Sequence, residues 1–250
     1  MRKLTSKTPV KWLFKMAWRD GKASISRLLL FMASIILGIA AVVSIQLFSE
    51  NLKDNIKNQS KGLMGADFII DSKQLPSKKV LAIIDSLGAA ASEVNFVSMA
   101  AFPKTEGTKL VKVRAIEGAF PFYGSLDTAP ASAAATYQKL GGALVDATLL
   151  LQYNLKPGDS IKLGKLKFPI IGALKSIPGT TAISSSVAPT VLIPFRFIEE
   201  TELLQLGSRK EYQYFFVAPP NMDLELLDKK LDPILDAENA DLDTHTSTSA

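Results

Sequence analysis

Cysteine is absent from all 250 residues, and histidine occurs once, at His245. The first absence excludes disulfides, thiolate metal sites and lipoprotein attachment. The second leaves a Ser-His-Asp arrangement or a multi-histidine metal centre almost nothing to build on, since His245 stands in the polar stretch DLDTHTSTSA. No G-x-G-x-x-G occurs. The nearest approach to a phosphate-binding loop, Gly158 through Leu166, has the wrong spacing and carries Leu166 where a magnesium-binding hydroxyl is required. No ATPase is therefore expected in the chain. Carboxylate pairs such as Glu199/Glu200 and Asp241/Asp243 are expected to be solvated charges rather than acid–base pairs. The site expectation follows: no catalytic, cofactor-binding or metal-binding residues, no cofactor, and no enzymatic activity.

Hydrophobic residues make up 47% of the chain and charged residues 21%, a balance that can build a folded core. The positive mean hydropathy is accounted for by one segment. From Leu28 to Leu47 the sequence reads LLLFMASIILGIAAVVSIQL, with no charge and only Ser34, Ser44 and Gln46 as polar interruptions. At 1.5 Å per residue, roughly 20 such residues cross the ~30 Å hydrocarbon layer, and in lipid only a helix pairs every backbone group of a lone segment. The run is longer than the core of a cleaved signal peptide, so a retained anchor is expected.

Charge sets the expected orientation. Arg2, Lys3, Lys7, Lys11, Lys15, Arg19, Lys22 and Arg27 precede the span against Asp20 alone, whereas Glu50, Lys53, Asp54, Lys57 and Lys61 mix signs beyond it. The positive-inside bias places the N-terminus in the cytoplasm of a bacterial inner membrane and the main domain in the periplasm. In the arm of residues 1–24, Trp12, Leu13, Phe14, Met16 and Trp18 interleave with Lys11, Lys15 and Arg19. This suits a short interfacial helix against the lipid bilayer better than a nucleic-acid patch, and the net charge of +5 owes much to the same arm.

Residues 25–61 are read as the transmembrane helix and a polar stalk, stopped by Gly62 or Gly65. Residues 62–250 are read as an α+β domain. Strands are expected at 66–71, 93–103, 109–117, 143–146, 160–163, 165–173, 189–193 and 212–218. Helices are expected at 76–87, 147–153, 195–204 and 223–235, with Pro76 in the first turn of its helix and Gly88 at its end. Pro157-Gly158 predicts a type II turn. The Gly-, Pro- and Ala-rich stretch 118–142 reads as an excursion between two subdomains, its Phe120, Phe122 and Tyr123 tucked onto the domain. Thr180 to Ser186 reads as an exposed loop.

The ordered set FKMAWRD (14–20), the span, LMGADFII (63–70), VRAIEGAFPFYG (113–124) and GGALVDATLLLQYNLKPGDSIKLGKLKFPIIGAL (141–174) resembles the start of FtsX-like, MacB-type ABC transporter permeases, in particular their large YbbP-like branch. The resemblance implies a first transmembrane helix leading into a MacB-like periplasmic core domain of two mixed α/β subdomains. It also implies a separate ABC ATPase subunit as partner, with ATP-driven movement of periplasmic domains acting on a hydrophobic or envelope substrate or a periplasmic partner. Members carry further spanning helices after this domain, so the chain is expected to be an N-terminal portion. The alternative expectation is a single-span sensor or adaptor with a periplasmic partner-binding domain.

Overall fold

The computed structural model describes residues 10–179, 188–204 and 209–244. The expected loop at Thr180–Ser186 and the tail from His245 lie outside these residues. The chain divides into two compact units, Met1–Asn55 and Ile56–Ala250.

In the first unit the described residues belong to helix α1 (Val10–Met64). The segment Arg27–Lys53 has a mean hydropathy of 2.8 and none of its most apolar stretch is covered by protein. Leu30, Phe31, Ile36 and Leu37 stand out from different sides of the helix. A helix apolar all round and uncovered by protein is long enough to cross a bilayer. Beyond it, Asn51 and Asn55 donate their side-chain amides back to the carbonyls of Leu47 and Asn51, at 2.9 and 2.8 Å, so the polar residues after the span continue the helix.

In the second unit the last turns of α1 lead into β1 (Phe68–Ser72), α2 (Lys78–Leu87), β2 (Ala91–Phe102), β3 (Gly107–Gly118) and β4 (Asp127–Ala129). There follow α3 (Ala133–Leu140), β5 (Ala143–Asp146), α4 (Ala147–Gln152), β6 (Ser160–Leu163), β7 (Leu166–Ser176), β8 (Thr190–Pro194), β9 (Lys210–Phe216), α5 (Leu224–Asp236) and β10 (Ala240–Thr244). One mixed sheet holds all ten described strands in the order β10-β1-β9-β2-β3-β8-β5-β7-β4, with β6 joined to β2 and β7. The β3–β8 and β5–β7 pairs are parallel and the others antiparallel.

The length of β2 closes part of this sheet on itself. Residues 91–96 pair with β9, while Ala100 and Ala101 pair with Leu163 and Lys162 of β6. The path β2-β3-β8-β5-β7-β6 therefore returns to β2 as a six-stranded ring. Period-two alternation puts one set of side chains inside it: Val94, Phe96, Val113, Val145, Ile161, Phe168 and Val191 form one apolar cluster. The opposite face, with Ile69, Ile116, Leu144, Leu192 and Phe215, is covered by Ala133 and Tyr137 of α3 and by Phe120. A third cluster, around Phe68, Ile70 and Phe216, is covered by α2 and α5. Strands from both sides of residues 118–142 thus share one sheet.

Several elements differ from the sequence expectation. The stretch 118–142 holds β4 and α3, and α3 shows only Ala133 and Tyr137, four residues apart, to the core. So narrow an apolar stripe in an alanine-rich run leaves little period to read. Residues 195–204 are not an α-helix but a 3-10 turn, Phe195–Phe197, and looser turns. Thr201 donates its hydroxyl to the Ile198 carbonyl at 2.6 Å, its own carbonyl accepts from Lys165 N at 3.1 Å, and Glu202 takes φ 55°. The helix is given up for a hydrogen bond to the β6–β7 turn. Asp241–Thr244 is no polar tail: Ala240, Leu242 and Thr244 alternate inward as β10. Ser77, not Pro76, caps α2, its hydroxyl accepting from Val80 N at 3.3 Å, so Pro76 precedes the helix.

Candidate coupling junction

The end of α1 is fixed to the domain by a small set of side chains. Gly65 takes φ +73° and its N–H bonds to the Lys61 carbonyl at 2.8 Å, a left-handed helix ending that releases the chain toward β1. The Gly65 carbonyl accepts from Phe122 N at 2.8 Å and from Tyr123 N at 3.3 Å. A Cβ there would stand 2.8 Å from Cε2 of Phe120. Glycine is required twice, for its dihedral angle and for the ring.

Asp67 follows, 2% exposed, in an otherwise apolar run. A carboxylate so placed needs partners on every side. Lys61 Nζ lies 2.6 Å from Oδ1, Tyr123 Oη donates to Oδ2 at 2.7 Å, and Ala218 N donates to Oδ2 at 2.9 Å. Burial pushes the Asp67 carboxyl up, but the hydrogen bonds from Lys61, Tyr123 and Ala218 outweigh it and hold it below the usual carboxylate range. The same bond pushes the Tyr123 phenol up to about 12, with burial and the Asp67 charge adding. The Lys61 ammonium also lies 5.2 Å from the centre of the Tyr123 ring. One carboxylate thereby ties the last turn of α1 to the 120–124 loop and to the chain leaving β9. A cavity of about 310 Å³ opens beside it, lined by Lys61, Asp67, Tyr123, Pro219 and the start of α5.

A buried brace lies behind this junction. Phe120 is 5% exposed, packs against Phe215 with ring centres 4.3 Å apart, and lies 5.5 Å beneath the Arg114 guanidinium. Arg114 makes a two-pronged ion pair with Glu93 and donates from Nη1 to the Pro178 carbonyl at 2.9 Å. Gly65, Phe120, Arg114 and Glu93 therefore form one packed path from the helix end to β2 and β3.

The sequence expectation named neither Asp67 nor Glu93 nor Arg114 as important. The signal available was one of context, an acid inside ADFII and opposite charges inside apolar β-strand runs. Glu199 and Glu200 are exposed, as expected, whereas Asp241 and Asp243 sit on β10. The exposed carboxylates of Asp232, Asp236 and Asp241 come within 4.8 Å of one another, and repulsion from Asp236, with slight burial and Asp228 and Asp241 adding, raises Asp232.

Comparison with known proteins places these features in a family. Residues 28–234 match the family described as MacB-like periplasmic core domain. An uncharacterized ABC transporter permease, YbbP, of Escherichia coli (strain K12) is 25% identical over 222 residues, 88% of this chain. The chain spans only 27% of that relative's length. Among solved structures, the periplasmic region of MacB from Actinobacillus actinomycetemcomitans aligns with TM-score 0.45 and 8% identity, covering 74% of this chain and 92% of that one. The extracellular domain of the ABC-type transporter YknZ from Gram-positive bacteria aligns with TM-score 0.39 and 11% identity, covering 70% of this chain and all of that one.

Proposed function

The chain belongs to the MacB-like periplasmic core domain family of ABC transporter permeases, and from that premise we propose that it is the N-terminal part of a permease subunit whose outer domain is moved by a separate ABC ATPase. Residues 1–24 lie on the cytoplasmic side, the span crosses the inner membrane and the domain from residue 62 stands in the periplasm. ATP is hydrolysed by the partner, and this chain supplies no catalytic group. The work done is export or extraction of a hydrophobic or envelope substrate.

The observation that carries this reading is the threefold hold on Asp67. A domain merely tethered to an anchor needs no buried ion pair at the helix end. A domain that must follow a displacement of that end needs its last turn locked to the sheet, as Lys61, Tyr123 and the Gly65 carbonyl lock it. The reading is tested by purifying the protein from membranes with its associated subunits, and then comparing Lys61→Met and Asp67→Asn with the native chain. An ATPase subunit bearing G-x-x-x-x-G-K-[ST] should co-purify with all three. ATP should change the distance between spin labels on α1 and on β3 differently in the variants, because the helix end slips against the sheet. Absence of any ATPase, or variants whose distances respond as the native chain does, would overturn the proposal.

A further inference from the structure

The chain's only two tryptophans, Trp12 and Trp18, both stand on α1 ahead of the span. They are 51% and 74% exposed, so no packing among the described residues covers them. The same stretch carries Lys11, Lys15, Arg19 and Lys22, all exposed. At 3.6 residues per turn, these four basic side chains fall within about 80° of one another around the helix axis. The order round that face is Trp18, Lys11, Lys22, Lys15, Arg19, Trp12, with about 20° between each tryptophan and the nearest base. A stripe of positive charge is therefore bounded by an indole along each margin. Val10, Leu13, Phe14 and Ala17 occupy the other side of the helix.

Side chains of this face enclose a cavity of about 510 Å³, lined by Trp12, Lys15, Met16, Trp18, Arg19 and Lys22. Among the described residues every ion pair lies from Lys61 onward, and none involves these four bases. In the sequence from Val10 to Arg27, Asp20 is the one acid against five bases. The face is complementary to anions.

The indoles narrow the anion. Tryptophan favours the border between water and hydrocarbon, where the ring meets apolar groups and its N–H meets ester or phosphate oxygens. Lysine and arginine lay their stems along apolar surface and keep their charged heads among the phosphates. Free phosphate would satisfy the charges and leave both rings in water. A phospholipid headgroup satisfies both, and lipid is near, since Lys22 precedes the start of the apolar run at Leu28 by roughly 9 Å along the helix.

We propose that this face of α1 binds the headgroups of anionic phospholipids. Lys15, Arg19 and Lys22 hold the phosphodiesters, and Trp12 and Trp18 sit among the glycerol esters and upper acyl chains. Lys11 stands roughly 25 Å before Leu28 along the axis, whereas a headgroup layer is about 5–8 Å deep, so binding inclines the arm toward the surface. Gly21, with nothing within 4 Å of its missing side chain, is the weak point of the helix at which it does so. The proposal goes beyond the permease reading and needs only that the span lies in lipid.

The test is to reconstitute the full chain in phosphatidylcholine vesicles with a minority of phosphatidylglycerol, and to record tryptophan emission with bromine on the upper acyl chains of one lipid or the other. All quenching reports this face, because Trp12 and Trp18 are the only tryptophans. Per labelled molecule, phosphatidylglycerol should quench at least about fivefold more effectively than phosphatidylcholine, the effect of one basic side chain at an anionic surface. Raising the salt should narrow the difference. Lys15→Gln/Arg19→Gln/Lys22→Gln should abolish it, and Lys15→Arg/Lys22→Arg should keep it. The exchanged side chains are exposed, and unchanged circular dichroism will show that both variants fold. Equal quenching by the two lipids, or a preference that survives in the glutamine variant, overturns the proposal. So does a change of emission on adding inorganic phosphate to pure phosphatidylcholine vesicles, which would make this a site for a free anion. Absence of quenching by either lipid overturns it as well and leaves the face to an acidic protein partner.

Discussion

Arg114 donates to Glu93 twice, from Nε to Oε1 at 2.5 Å and from Nη2 to Oε2 at 2.6 Å, with the two side chains 5% and 0% exposed. This pair joins β2 to β3 and, through Pro178, to the chain leaving β7. Its geometry satisfies both carboxylate oxygens, which is the condition for a buried ion pair to be tolerated.

Arg114→Met should therefore destabilise the domain by about 3–5 kcal/mol, because it strands the Glu93 carboxylate in the interior. Glu93→Gln/Arg114→Met together should recover most of that loss. Denaturant unfolding of the full chain in detergent, followed by tryptophan-independent circular dichroism, measures both. Equal losses in the single and double variants would show that packing of the Arg114 stem against Phe120, not charge, is what matters.

Gly65→Ala should cost about 2–3 kcal/mol, part from a residue with Cβ held at positive φ and part from the ring of Phe120. Combining it with Phe120→Leu should lose less than the sum of the two changes, since the smaller side chain vacates the space the new methyl needs. A full additive loss in the same unfolding assay would place the whole cost in the backbone.

Legibility in the sequence followed how much of an element's stability is local. The span, α2 and the β2–β3 hairpin carry their signals in consecutive residues: twenty without charge, Ser77 and Gly88 as caps, Thr105-Glu106 before Gly107 as the turn. By contrast β10 is held by its pairing with β1 some 170 residues away, and an Ala-Asp-Leu-Asp-Thr alternation alone looks like a polar tail. The expected helix at 195–204 has adequate propensity and loses to a hydrogen bond from Lys165 that no local reading contains. The family was readable because its segments occur in order. The junction was not, since Lys61, Asp67, Tyr123 and Ala218 meet only once the sheet has formed.

Asp71 gives a pH dependence of definite sign. Burial, with the charges of Asp243, Glu211 and Asp241 beside it, pushes its carboxyl from the usual 3.8 up to about 6. The folded chain then holds more protons than the unfolded chain between those values, so this contribution falls as pH rises from about 4 to 6 and stays unfavourable above. Asp71→Asn should stabilise the domain at pH 7 by about 2 kcal/mol and give no gain near pH 3.5. Thermal melts at the two pH values decide it, and a gain that is the same at both would mean that the amide helps by bonding rather than by removing charge.

Orientation in the membrane can be read with cysteines, because the chain has none of its own. Lys11 precedes the span and is exposed, and Leu75 in the loop before α2 is 72% exposed. Single variants Lys11→Cys and Leu75→Cys in intact cells with a permeabilised outer membrane should differ toward a maleimide that cannot cross the inner membrane. Leu75→Cys should label at once and Lys11→Cys only after lysis, as the surplus of Lys and Arg before the span requires. The reverse pattern would put the domain in the cytoplasm, on the same side as any ATPase. Transmission of ATP-driven movement across the bilayer would then have nothing to act on, and the permease reading would fall with it.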